Sequence, residues 1–194
     1  MFNFGHEQSF FAMKYRIVPV DHSNISKARA LVDTVFPHQS PAERISLRLY
    51  TLKSGWTYRF LSWVFGADLL AFWIAVDESG EALGISGLYR LRKDGHEAVW
   101  LGWYAVHPSA RGKGVGGALL RHAIQAARYT GGKYLRLYTS DSELIEGSGD
   151  AQGVYEKYGL KVKSVKAVYG GLLINRDGVK VLKANKIIRE MPLR

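Results

Sequence analysis

Residues 100–124, WLGWYAVHPSARGKGVGGALLRHAI, run from an apolar strand through Pro108 into a glycine-rich turn and on into an amphipathic helix. Glycines at 112, 114, 116 and 117 let the main chain come close to a ligand, and the amides that open the following helix have no partners of their own. Such a helix end suits a phosphate. Arg111 and Lys113 add mobile positive charge beside it. A P-loop is excluded, because it requires Ser or Thr after the lysine and Lys113 is followed by Gly114. Gly112, Gly114 and Gly117 do satisfy G-x-G-x-x-G, and Asp141 stands beyond the next strand where a ribose-binding acid would sit. That fingerprint, however, turns directly from a strand into its glycines, usually at the first strand of its domain. Here His107 to Arg111 intervene and three strands precede.

Upstream, Ala98 to Val106 is a strand that follows the turn Lys93-Asp94-Gly95. Ala82 to Leu91 and Ala71 to Val76, separated by Asp77-Glu78-Ser79-Gly80, read as adjacent antiparallel strands. Lys14 to Val20 alternates as a first strand. Asp21 and Ser23 are placed to cap a helix carrying Ile25, Ala28, Leu31, Val32 and Val35, which Pro37 stops. Pro41 to Leu70, rich in Leu, Trp, Phe and Tyr, is expected to form one or two helices. Downstream, Val115, Leu119, Leu120, Ala123, Ile124 and Ala127 share one helix face, and Gly131-Gly132 ends that helix. Lys133 to Thr139 alternates as a strand, 141–150 is a polar loop, Ala151 to Tyr158 is a short helix ended by Gly159, and Lys161 to Met191 forms strands around an Asn175-Arg176-Asp177-Gly178 hairpin turn. The order is that of an α/β (α+β) sheet flanked by helices, with a helical insert between the first and second strands.

The chain has 194 residues, 47% hydrophobic and 23% charged, which is enough for one domain with a core. We expect residues 1–12 to be an N-terminal extension and 13–194 to be that domain. With no cysteine, a disulfide framework, a thiolate zinc site and a cysteine nucleophile are all excluded, and no metal site is expected. The start, MFNFGHEQSFFAMKYR, lacks the pattern of a secretory signal, so the cytoplasm is the expected location. Phe60 to Val76 is interrupted by Asp68 and is too short for a bilayer, so no membrane partner is expected. The 27 basic and 17 acidic residues give a net charge of +10, which attracts polyanions. Because the basic residues are dispersed, a phosphorylated cofactor fits better than nucleic acid.

Arg111, Gly114 and Gly116 also satisfy R/Q-x-x-G-x-G/A. Together with the preceding V-x-P strand end, the segment Trp100 to Leu120 resembles the GNAT (GCN5-related) N-acetyltransferase superfamily. The likeness resumes at Ala151 to Leu160, AQGVYEKYGL, which is similar to the family's A-x-x-x-Y-E-K-x-G-F. The resemblance implies a mixed, mostly antiparallel central sheet and acetyl-CoA as cosubstrate. It further implies that Arg111, Gly112, Lys113, Gly114, Val115, Gly116 and Gly117 hold the pyrophosphate, that Tyr104, Ala105 and Val106 pair with the pantetheine arm, and that Tyr155 protonates the departing thiolate. The pantetheine carries two amides and can lie beside an open strand edge. Ser148 stands where many members have a cofactor-contacting asparagine. The position that usually holds a base is Gly102, and Glu97 is the nearest carboxylate candidate, with His96 beside it.

Without a cysteine, transfer is expected to be direct, from acetyl-CoA to a primary amine of a small-molecule or peptide acceptor, in a monomer or homodimer. Tyr50, Trp56, Tyr58 and Trp63 with Glu43, Asp68, Glu143 and Glu146 could seat a cationic amine over rings, or could equally be core and solvated surface. His107 is expected to be a loop histidine and His122 an outer helix residue. A non-catalytic acyl-CoA sensor, a nucleotide-dependent oxidoreductase and a basic nucleic-acid binder are the other functions compatible with these residues.

Overall fold

Alternating side chains of one long strand, Ala67–Asp77, go to opposite faces of a seven-stranded sheet. In this computed structural model, Phe72, Ile74 and Val76 pack with Ala28, Leu31 and Val32, whereas Trp73 packs with Leu120, Ala123 and Ile124. Both faces are covered, which is why the strand reads as a continuous apolar run. The structure describes residues 14–36, 47, 55–140, 151–175 and 178–194, and only the main chain of 140, 168–175 and 178–184. The elements in chain order are β1 (Tyr15–Pro19), α1 (Ile25–Val35), α2 (Trp56–Phe65), β2 (Ala67–Asp77), β3 (Ala82–Leu91), β4 (Ala98–Val106), α3 (Val115–Arg128), β5 (Tyr134–Ser140), α4 (Ala151–Lys157), β6 (Lys161–Asn175) and β7 (Gly178–Pro192).

The sheet order is β1-β2-β3-β4-β5-β7-β6. All neighbours are antiparallel except β4 and β5, which run parallel through Ala98↔Tyr134, Val99↔Leu135 and Trp100↔Arg136. This is the expected mixed, mostly antiparallel sheet. Helix α3 forms because its apolar residues recur every three or four positions. Leu119 and Leu120 are 0% exposed, and burying a leucine contributes about 1.5–3 kcal/mol. Alternate β4 residues Val99 and Leu101 meet the same core as Leu120.

Three local expectations change. Ala67 to Leu70 belong to β2, paired with the end of β3, because Gly66 takes a left-handed φ of 60° and ends α2 there. Asp21 and Ser23 do not cap α1. Asp21 Oδ1 accepts from the Ser23 N–H and hydroxyl, Asn24 Oδ1 accepts from the Asp21 N–H, and no side chain caps the first helical amides. His122 is half-buried, its ring 4.8 Å from that of Trp73 and edge-on to it, and burial lowers its pKa. Residues 1–12, most of the expected helical segment after Pro41, the 141–150 loop, and Arg176 and Asp177 of the hairpin turn lie outside the described residues.

Two buried arginines join the C-terminal strands to the rest. Arg136 on β5 pairs with Glu190 on β7, with Asp94 at 3.8 Å and with Glu97. Burial works to raise the Glu190 carboxyl, but hydrogen bonds from Lys163 and Arg136 outweigh it and hold the group below the usual carboxylate range. Arg189, 4% exposed, donates to Gln152 Oε1 at 2.8 Å, to the Leu160 carbonyl at 2.9 Å and to Glu156 Oε1 at 2.9 Å. Through these bonds it fastens α4 and the turn behind it to β7.

Gly84 marks where α3 approaches the sheet most closely. A Cβ there would stand 2.7 Å from Leu119 Cδ1 and 3.0 Å from the Ala105 carbonyl oxygen. Gly84→Val is therefore expected to lower stability by about 1–3 kcal/mol through overpacking. Chemical denaturation checks this, and an unchanged midpoint would show that α3 does not rest on β3 as described.

Candidate active site

Strand β4 changes character halfway along. Ala98, Val99 and Trp100 pair with β5, but beyond Trp100 that pairing stops, while pairing with β3 runs from Trp100 to Val106. A register shift coincides with the break: Ile85 faces Ala105 and Gly87 faces Gly102, so β4 carries one extra residue. Leu101 lies in the core under α3, and a Cβ on Gly102 would meet the Tyr89 ring on the other face. Trp103 also turns to that other face, so two successive residues share one side, as a bulge requires. Trp103 has φ 51°, the one positive φ outside glycine among the described residues. Such a conformation costs roughly 1–2 kcal/mol, offset by the edge-on packing of its ring at 5.9 Å from Phe36.

After the bulge, the alternation places Tyr104 and Val106 on the α3 side. The His107 N–H donates to the Leu83 carbonyl at 2.8 Å, so the N–H and C=O of Val106 point the opposite way, into the gap left by β5. The Val106 carbonyl there accepts Arg111 Nε at 3.4 Å. The gap is therefore edged by strand main chain that β5 does not pair, with the Val106 N–H facing it, a template for an extended, amide-bearing ligand.

At the mouth of the gap, His107 and Pro108–Ala110 make a short 3-10 turn, in which His107 Nδ1 accepts from the Ser109 N–H at 3.3 Å and lies 2.7 Å from its hydroxyl. His107 thus shapes the turn, as a loop residue. Gly112 and Gly114 follow with φ 74° and 83°, conformations that disfavour any side chain, and with open space where a Cβ would stand. In α3 the first amide to meet a carbonyl is that of Ala118, on Gly114 at 3.1 Å. Ahead of it, Val115, Gly116 and Gly117 carry amides that the helix cannot use. No side chain caps them and no acidic residue stands in the first turn, so the positive helix end fits a phosphate with Arg111 and Lys113 beside it.

The next two glycines have a further role. A Cβ on Gly116 would stand 2.8 Å from the Tyr104 hydroxyl, and one on Gly117 would stand 2.6 Å from the Tyr158 hydroxyl. Tyr158 is held there by Arg121 Nη1, which donates to its hydroxyl at 2.6 Å. Tyr155, on the preceding turn of α4, packs instead into the core beside Tyr104. Its ring is 5.7 Å from that of Tyr104, and it is 7% exposed. Burial pushes its phenol up to about 12, although the Arg189 cation works against the rise. Tyr104 is raised too, chiefly by burial. The structure thus brings together Tyr104, Ala105, Val106, Arg111–Gly117 and Tyr155.

Glu97 does not join them. It precedes β4 at the end where β5 is still paired, its carboxylate engaged by Arg136. Seven residues separate it from Tyr104, roughly 20 Å at about 3.3 Å per strand residue. Ser148, Glu43, Tyr50, Glu143 and Glu146 lie outside the described residues. The remaining aromatic and acidic residues of that set have partners within the fold or face solvent. Asp68 pairs with Arg92 at 3.2 Å, Tyr58 bonds the Leu69 main chain, and Trp56 and Trp63 are 80% and 68% exposed. Sequence reasoning missed Arg189 and Arg121. Both are single basic residues in apolar surroundings, with no periodic or spacing signal of a role.

Residues 68–162 match the family model described as an acetyltransferase (GNAT) domain. No curated protein sequence matches the chain. Among solved structures, the ribosomal-protein-S18-alanine N-acetyltransferase from Escherichia coli superposes with a TM-score of 0.63 at 17% identity, over 93% of this chain and 94% of its own. An N-acetyltransferase from Staphylococcus aureus Mu50 gives 0.63 at 17% identity, over 93% and 99%. A GNAT family acetyltransferase from Elizabethkingia anophelis with acetyl-CoA bound gives 0.60 at 18% identity, over 92% and 97%. With the gap between β4 and β5, the glycine turn and the family match on the same stretch of chain, residues 68–162 form a GNAT acetyltransferase domain.

Proposed function

We propose that the chain is an acetyl-CoA-dependent N-acetyltransferase that acylates a primary amine directly. The observation that carries this reading is the half-open β4, whose Val106 main chain faces a gap ending at an uncapped, acid-free helix N-terminus. A pyrophosphate fits the amides of Val115, Gly116 and Gly117, with Arg111, Lys113 and the left-handed Gly112 and Gly114 around it. A pantetheine arm fits along Tyr104–Val106. Acetyl-CoA supplies an acyl group activated as a thioester. The chain's own part is to align that group, keep water out with the Tyr104 and Tyr155 rings, and offer a main-chain N–H to developing negative charge.

In this reading the Tyr155 hydroxyl gives its proton to the departing sulfur. A phenol at about 12 stays protonated at every physiological pH. A thiolate leaving in the same dry setting is made more basic by the same desolvation, which keeps the transfer accessible. Glu97 is occupied by Arg136, and Glu156, next to Tyr155 in the chain, by Arg189. The acceptor therefore arrives with a fraction of its amine already free, or gives up its proton through water. A small-molecule or peptide amine, a cytoplasmic setting and a monomer or homodimer complete the proposal.

Acetyl-CoA at about 100 times its Kd is expected to stabilise the protein by about 2.7 kcal/mol, with NADH giving much less. Lys113→Glu and Gly114→Asp, which face open space, should weaken acetyl-CoA at least about tenfold by charge repulsion. Calorimetric titration reads this, and equal stabilisation by NADH or unchanged affinity in both variants would refute the phosphate site.

Tyr155→Phe keeps the ring and removes the proton, so kcat should fall by about 10² to 10⁴ with acetyl-CoA affinity retained. The sign of the pH dependence follows from the raised phenol: an acid is lost as pH rises through its pKa, so the wild-type rate should show no falling limb from Tyr155 below about pH 11. A drop of less than about threefold would remove Tyr155 as the acid. Absence of turnover with every amine, in a protein that still binds acetyl-CoA, would make the chain a sensor.

A further inference from the structure

Helix α2 is attached by its polar side. The Tyr58 hydroxyl donates to the Leu69 carbonyl at 3.2 Å and accepts from the Leu69 N–H at 3.0 Å. Ser62, 2% exposed, has Ala67 O and Asp68 Oδ1 each at 2.7 Å. The other side carries Trp56, Arg59, Phe60, Trp63 and Val64, whose spacing puts them on one face. Trp56 is 80% exposed, Trp63 68%, Phe60 54% and Val64 53%, and the rings of Phe60 and Trp63 lie 6.4 Å apart. A surface helix ordinarily turns such a face to the core. This one turns it to solvent, and contiguous exposed apolar surface marks a contact site.

Charge decides among the occupants. From Gly55 to Ala67 the chain contains Arg59 and no acidic residue. Arg59 lies within the stripe, is exposed, and makes no ion pair with any described residue. The Arg92 N–H donates to Gly66 O at 2.9 Å, which brings the exposed Lys93 to the same end of the helix. A second copy packed on the same face would set Arg59 and Lys93 against their own kind. A surface of anionic headgroups over acyl chains complements both features at once, taking tryptophan rings at the boundary and basic side chains at the phosphates.

We propose that the outer face of α2 is a peripheral docking surface for anionic lipid, with Trp56, Phe60 and Trp63 entering the headgroup boundary and Arg59 meeting lipid phosphate. This departs from the expectation of no membrane partner. It concerns attachment alone, since no helix among the described residues is long and apolar enough to cross a membrane. It does not depend on the acetyl-transfer reading. Helix α2 leads into Ala67, which pairs with Leu91 at one end of β3, whereas Val106 and the glycine turn lie at the other end, opposite Gly84. Docking there leaves the phosphate end of the gap accessible.

The test is co-sedimentation of the full chain with vesicles of phosphatidylcholine and phosphatidylglycerol in equal parts, beside vesicles of phosphatidylcholine alone. Binding to the mixed vesicles, weakened by added salt, is expected, with at least about a tenfold loss in Trp56→Ser/Trp63→Ser and in Arg59→Glu. Both variants should keep the wild-type circular dichroism and acetyl-CoA affinity. Absence of binding to the mixed vesicles would overturn the proposal. So would equal binding by the folded double variant, or a wild-type dimer that the same substitutions dissociate, which would assign the stripe to a second copy.

Discussion

The extra residue in β4 between Gly102 and Ala105 is the constraint on which the rest of the site depends. A regular β4 would go on pairing with β5 beyond Trp100, and the sheet would have no gap. The bulge bends the strand, ends that pairing after Arg136 and exchanges the faces of the residues that follow. It therefore brings Tyr104 under the N-terminus of α3 and aims the Val106 main chain into the opening. A left-handed tryptophan is an unfavourable conformation. It persists because the ring is packed against Phe36 at one end of α1 and because Ile85 and Ala105 re-enter register directly after it.

An opened sheet needs other fastenings, and two buried arginines provide them. Arg136 gathers Asp94, Glu97 and Glu190 where β4 and β5 still touch, closing the narrow end of the gap. Arg189 ties β7 to Gln152, Glu156 and Leu160, and so fixes the helix that carries Tyr155. Both arginines are buried although Glu97 and Glu156 are largely exposed, so loss of the acceptors would strand a buried cation, whereas loss of the cation would leave those two carboxylates in water. The phenol of Tyr155 is held against Tyr104 by this second clamp and by the helix turn that sends Tyr158 the other way, onto Gly117.

Much of this was legible in the sequence. The apolar period of α3, the turn glycines and the tyrosine of AQGVYEKYGL each carry a local signal, and the structure brings them to one place. What was not legible is non-local. WLGWYAV alternates as well as any strand, and nothing in it announces that Trp103 will take a positive φ. Gly116 and Gly117 read as room for a ligand, whereas the side chains of Tyr104 and Tyr158 stand where a Cβ would go. Glu97 is near Gly102 in sequence but at the closed end of the strand, because two positions on a strand separate steadily with each residue. Trp56 and Trp63 read as core or as a ligand seat, since composition does not tell which face of α2 meets the protein.

The most direct measurement of the central claim is amide hydrogen exchange along β4, with and without acetyl-CoA. Ala98 and Val99, paired with β5, and Trp100, paired with both β3 and β5, are expected to exchange slowly in both states. The Val106 amide, which faces the gap, should exchange faster in the free protein and slow by about tenfold or more on binding, together with Val115, Gly116 and Gly117 at the start of α3. Protection confined to other strands, with Val106 and the α3 amides unchanged at saturating acetyl-CoA, would contradict the assignment of the β4–β5 gap as the place where the cosubstrate lies.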